Sequence, residues 1–318
     1  MKPSWSARSA LTGALLLGLT ACSVTDYQQP ITRFAGATKD AEAALDALNT
    51  EVTSAYTDLL RAQAMAGEGL VEVPPGDCLF SSTQCRLDLL GRDGQTQPLT
   101  PPAALGNMTA LMASISTYAD NLVALVSADT AAAVAANVNA TLGSIESLAE
   151  TVAKAGGDKQ PVDLSAYTTP AGEAVLWIVG QYTASVKLDG LRRATEEAQP
   201  VIAEATSVFE QAAALAANIP KDAMAQEVSQ RLAAFDASPT QENLDSLINS
   251  ADQFNQFLEA KPADVFAKMN VAHEALTRQL QGEDVSLAEA VARIESFAAE
   301  AESLAKIAKA FAAANPGT

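Results

Sequence analysis

The sequence predicts an all-α protein, an elongated antiparallel helical bundle of about eight or nine helices with one irregular, disulfide-stapled insertion. Three observations predict it. Alanine supplies roughly a fifth of the 318 residues, and alanine has the best helix propensity. Aromatic residues make up only 5% although hydrophobic residues make up 48%, whereas β-rich cores favour Val, Ile, Tyr, Phe and Trp. Apolar residues recur in alternating steps of three and four over most of the chain, and no period-two run of useful length competes with them.

The first long helix is predicted from Ile31 to Ala66. Its seam is Ala41, Leu45, Leu48, Val52, Ala55, Leu59 and Ala62, and Phe34 and Thr38 extend it backwards. The character then changes. Residues 67–102 contain no alanine but hold Pro74-Pro75-Gly76, Gly91, Gly94, Pro98, Pro101 and Pro102. This span reads as an irregular insertion, with at most a short hairpin near Gly67–Val73 or Leu87–Leu90. Helical periodicity returns in Ala103–Val126, with Met108, Leu111, Met112, Ile115, Tyr118, Leu122 and Leu125 on one stripe. Asp129 or Thr130 can cap Ala131–Ala155, which Gly156-Gly157 closes. Thr169-Pro170 reads as an N-cap with proline at the first helical position. The helix that follows reaches Gln199 and carries Trp177 and Tyr182 as core anchors.

Pro200 predicts a kink or tight break before Val201–Asn218. A short amphipathic segment, Ala223–Ala237, comes next. Two capping patterns mark later starts: Ser238-Pro239-Thr240-Gln241, and Ser286-Leu287-Ala288-Glu289. Between them Pro262 opens a helix that Gly282 closes. The last helix has the stripe Leu287, Ala290, Ile294, Phe297, Ala301, Leu304, Ala308 and Phe311.

The N-terminal segment, 1–22, has a different character. Lys2 and Arg8 precede an apolar stretch from Leu11 to Ala21, too short to span a bilayer but suited to a signal peptide. It ends in Leu19-Thr20-Ala21-Cys22. This segment resembles the lipobox of bacterial lipoprotein precursors, and the resemblance does not extend past Cys22. It implies that residues 1–21 are cleaved and that Cys22 becomes the acylated first residue. Residues 22–30 then form a lipidated tether, and 31–318 form the helical body. Ser23 after the cysteine resembles the class sorted to the outer membrane, with the body in the periplasm. Removing Lys2 and Arg8 takes the formal side-chain charge from −18 to −20. The strongest later apolar run, Ala174–Val179, is far too short to span a bilayer, so the body is expected to be tethered rather than inserted.

Cys78 and Cys85 are an even pair in a chain read as exported, which predicts a disulfide. Loop closure by so short a ring contributes about 2.5 kcal/mol on the chain-entropy model. Leu79 and Phe80 lie inside that loop and are candidates for a partner contact, or for packing onto the bundle.

Composition narrows the chemistry. A pI near 4.4 argues against nucleic acid, whose affinity depends on Lys and Arg at phosphates. One histidine and three cysteines are a poor ligand supply for zinc or copper, so no metal or cofactor is expected. His273 starts no H-E-x-x-H motif and reads as a surface or groove residue of its helix. Paired acids such as Asp40, Glu42 and Asp46 read as a solvated face. The expected role is non-enzymatic: a scaffold or adaptor for another envelope protein. The alternative is a bundle that holds a small apolar or amphiphilic ligand.

Overall fold

The computed structural model describes residues 24–65, 69–72, 88–91, 96–98, 103–155, 183–216, 218–259 and 262–314. These form eight helices and three short strands: α1 (Val24–Met65), β1 (Gly69–Glu72), β2 (Asp88–Gly91), β3 (Thr96–Pro98), α2 (Ala103–Ser127), α3 (Ala131–Ala155), α4 (Thr183–Ala216), α5 (Asn218–Ala237), α6 (Gln241–Glu259), α7 (Pro262–Gln281) and α8 (Leu287–Ala314). The all-helical body expected from composition and periodicity is present.

Six helices close a ring in the order α1, α2, α3, α4, α7, α8, with α2 also touching α4 across it. The seam residues read from the sequence fill its interior. Phe34, Thr38 and Ala41 of α1, Leu111, Ile115 and Leu122 of α2, and Ile294, Phe297 and Ala301 of α8 are all buried. Burying this apolar surface drives the assembly, at about 25 cal/mol per Å² removed from water.

The ring is not antiparallel throughout, which corrects the expected architecture. Asn137 Nδ2 donates to the Ala124 carbonyl and Ser114 Oγ meets Thr151 Oγ1, so α2 and α3 run in opposite directions. Lys187 Nζ reaches the Val126 carbonyl near the start of α4, while Gln199 lies level with Tyr118, so α4 also opposes α2. Helices α3 and α4 are therefore parallel neighbours. The segment 156–182 separates them, enough chain to return along the whole length of α3.

Helix α1 runs parallel to α8. Its burial continues to Leu48, 14 residues past Phe34, and on to Tyr56; α8 runs on for 17 residues past Phe297 and α2 for 15 before Tyr118, whereas in the opposite sense α8 has only 10 residues and α2 only 9. The start of α1 thus shares one end of the bundle with the turns at 128–130 and 282–286.

Helix α1 begins at Val24 rather than Ile31. Val24, Tyr27 and Ile31 are buried, and Pro30 lies within the helix, so most of the segment read as a tether belongs to the core. At 42 residues and 1.5 Å per residue, α1 is about 63 Å long. The 67–102 insertion is not wholly irregular. Strands β1, β2 and β3 form an antiparallel meander, with Gly69 opposite Gly91 and Leu90 opposite Thr96. Pro98 sits on the edge strand β3, where a missing N–H is tolerated.

Helix α4 runs continuously through Pro200, so of the expected kink or tight break the break is absent. Ala198, Val201 and Ile202 around it are fully buried, and this packing offsets the lost hydrogen bond. The N-cap of α6 is Thr240, whose Oγ1 accepts from Asn243 N, and not Ser238. Thr130 and Ser286 cap α3 and α8 as read. Helix α7 ends in a Schellman turn: Gly282 N donates to Gln279 O and Glu283 N to Arg278 O. Gly282 takes φ +76°, a conformation that suits glycine.

Helices α5 and α6 pair with each other outside the ring and touch α1, α4 and α8 more lightly.

Gly190 of α4 faces Val138 of α3. A Cβ there would lie 2.8 Å from Val138 Cγ2 and 3.6 Å from Leu125 Cδ2. Valine is stiff, and Val138 is buried, so it has little room to yield. Gly190→Ala is expected to lower stability by about 1–2 kcal/mol in urea denaturation, despite the better helix propensity of alanine. With Val138→Ala already present, the same substitution should cost nothing further.

Candidate functional site

The most distinctive chemistry among the described residues lies in the middle of the ring. His273 of α7 is fully buried, not at the surface or in a groove as its sequence neighbours suggested. It sits on a seam of Phe266, Met269, His273, Leu276 and Leu280, whose three-and-four spacing aims the imidazole inward. That stripe was the signal available in the sequence.

Both ring nitrogens are engaged. Nε2 lies 2.8 Å from Tyr118 Oη of α2, and Nδ1 lies 2.6 Å from Gln199 Oε1 of α4. The Gln199 carbonyl oxygen can only accept, so Nδ1 carries the proton and Nε2 accepts from the tyrosine hydroxyl. Gln199 Nε2 then donates to Asn270 Oδ1 at 3.0 Å. The chain Tyr118, His273, Gln199, Asn270 runs in one donor-to-acceptor direction.

The Phe34 ring lies 5.9 Å from the imidazole and 5.7 Å from Phe297, centre to centre, while the Tyr118 ring is 5.6 Å from the imidazole. One level of the bundle therefore joins α1, α2, α4, α7 and α8. One helical turn along α7, Thr277 Oγ1 donates to the His273 carbonyl at 3.0 Å.

Burial decides the protonation of this layer. Desolvation pushes the His273 pKa down to about 3 and raises that of Tyr118 well above its ordinary value. At neutral pH both groups are uncharged. No carboxylate contacts the imidazole among the described residues; Arg33–Glu295, Lys39–Asp120 and Lys268–Glu300 join neighbouring helices at the surface. A neutral imidazole with both nitrogens held links α7 to α2 and α4.

No group of His, Cys, Asp and Glu among the described residues is arranged to hold a metal. Cys22, Cys78, Cys85, Leu79, Phe80, Trp177 and Tyr182 lie outside the described residues, so their expected roles remain sequence readings. The structure does bring the backbone of Glu72 opposite Asp88, so the loop carrying Cys78 and Cys85 is closed at its base by a β ladder.

Residues Gly106–Ser127 of α2 are long and apolar enough to cross a membrane by composition alone, contrary to the expectation that no later segment is. Asp120 and Asn121 interrupt its apolar run. Half of that window is buried inside the bundle, where Leu111, Ile115 and Leu122 line the core.

The pH dependence of this layer follows from linkage. The unfolded chain takes up a proton on His273 near pH 6.5, and the folded chain only near pH 3. Between those values the unfolded state binds more protons, so stability is full above pH 6.5 and falls as pH drops toward 3. Urea denaturation of the parent and of His273→Gln at several pH values should show the difference. The parent is expected to lose about 1.4 kcal/mol more per pH unit than the variant below pH 6.5. The chain matches no protein-family model, no curated protein and no solved structure.

Proposed function

We propose that this chain is an acylated lipoprotein of the outer membrane whose helical body works in the periplasm as a non-enzymatic scaffold or adaptor for another envelope component. The observation that carries the non-enzymatic reading is the sealing of the single imidazole. His273 is the one histidine of the chain, it is 0% exposed, and both its nitrogens are used inside the bundle. The same level is filled by Phe34, Tyr118 and Phe297, which weighs against the alternative of a ligand held between the helices there.

The membrane reading rests on Leu19-Thr20-Ala21-Cys22, the residues that resemble a lipobox. The start of α1 at Val24 supports a short connection, because only Ser23 separates Cys22 from a helix whose first residue is already buried. An acyl group on Cys22 then holds the end of the bundle bearing the 128–130 and 282–286 turns close to the bilayer. A Cys78–Cys85 disulfide, with Leu79 and Phe80 between the two cysteines as partner contacts, belongs to the same proposal.

Cys22→Ser is the direct test. The parent is expected in the membrane fraction with an acylated N-terminus by mass spectrometry, and the variant in the soluble fraction without acyl mass. Unchanged fractionation and mass overturn the lipid reading. Affinity purification from membranes with Cys22 intact should recover a protein partner. A small molecule in the purified body and no partner overturns the scaffold reading.

A further inference from the structure

We infer that the α5–α6 hairpin is a docking surface for a basic amphipathic helix of a partner protein. The inference rests on the scaffold reading and gives it a partner class. Its readout is peptide binding, whereas that reading is tested by fractionation and partner recovery, so the two can fail separately.

The hairpin carries an apolar pattern that the fold leaves half covered. On α6, Leu244, Leu247, Ala251 and Phe254 recur at three- and four-residue steps, yet each is only partly buried. On α5, Met224, Val228 and Phe235 do the same. Seam residues of the six-helix ring at the same spacing are almost fully enclosed. Among the hairpin's described side chains only Ser250, at 8% exposure, is buried. Three large apolar side chains stand out as exposed among the described residues: Leu232 and Ile248 at 48%, and Val271 at 40%. Two of them belong to this hairpin, each about two turns from the Ser238-Pro239-Thr240 connection. Two antiparallel helices with such faces accept a third helix along the open side.

Charge selects the occupant. Residues 218–259 hold the acids Asp222, Glu227, Asp236, Glu242, Asp245, Asp252 and Glu259 against the bases Lys221 and Arg231. Asp245 and Asp252 are exposed on α6, next in sequence to Leu244 and Ala251, and Asp236 is exposed one turn from Leu232. Like charge opposes a second copy of this hairpin and opposes an anionic bilayer. A helix with leucine-like residues on one face and Lys or Arg along its borders satisfies both the apolar strip and its acidic rim.

The test uses the full mature chain and a fluorescein-labelled Leu/Lys peptide long enough to cover the hairpin, with leucines at helical spacing. Saturable binding that weakens with added salt is expected by anisotropy. Leu232→Ser with Ile248→Ser should weaken it at least tenfold while leaving circular dichroism unchanged, because both side chains are exposed. Val271→Ser, on the ring, should bind as the parent does. Equal binding of a scrambled peptide of the same charge overturns the proposal, as does unchanged binding by the double variant, or no saturable binding at all. Ile248-dependent dimerisation in sedimentation, or Ile248-dependent capture by anionic phosphatidylglycerol vesicles, assigns the face to another occupant and also overturns it.

Discussion

The hydrogen bond between Tyr118 and His273 sets the register on which the bundle depends. Alanine-rich seams are permissive, since small side chains allow helices to slide with little change in packing. A buried hydroxyl facing a buried imidazole is not permissive. Moving α7 by one turn, about 5.4 Å, along α2 would orphan the Tyr118 hydroxyl and both nitrogens of His273. Each unsatisfied buried group costs about 1–3 kcal/mol. Gln199 extends the same demand to α4, so three helices share one allowed height. Phe34 and Phe297 then pack against this level from α1 and α8. A fully satisfied polar layer in an otherwise apolar core specifies register at some cost in stability, as single buried polar residues do in coiled coils.

Much of the helical body was legible because it depends on local physics. The three-and-four apolar spacing located α2 and α8 closely, and Thr130, Pro262, Ser286 and Gly282 marked the ends of α3, α7 and α8 through signals that act over a short stretch of chain. Thr38 was placed on the α1 seam despite its hydroxyl, and it is buried, with Oγ1 donating to the Ala35 carbonyl. His273 is the opposite case: its residue type suggests the surface, while the spacing of Phe266, Met269, Leu276 and Leu280 puts it on the buried seam. Gln199 carried no such signal. It borders Pro200 and the apolar positions of α4, and only the crossing of α2, α4 and α7 turns it into a partner for the imidazole.

Helix direction was not legible either. Short turns impose antiparallel neighbours, as between α2 and α3 or α7 and α8, and the rule was extended to the whole ring. It fails where the chain between neighbours is long. The connection 156–182 before α4 removes the constraint, and packing alone then decides. Helices α4 and α3 meet at Gly190 and Val138 because the absent Cβ permits a close approach whichever way the helices run. Strands β1 and β2 fall on the two spans that read as a short hairpin at most, while β3 gives no signal, because segments so short give alternation little room to show.

The two ends of the molecule differ for reasons that trace back to composition. At the end where α1 starts, the described connections are short, at 128–130 and 282–286. At the other end lie the sheet and the α5–α6 hairpin, inserted between α1 and α2 and between α4 and α7 respectively. Neither insertion disturbs the ring, since each leaves and returns at one end of the shaft. The ring buries its own apolar seams among the described residues and holds its height through the Tyr118–His273 layer. The hairpin keeps the same helical pattern but is only half covered among the described residues, and its excess of acid opposes pairing with a second copy. A ring with one half-covered, acidic element beside it is the arrangement that the proposed scaffold role calls for.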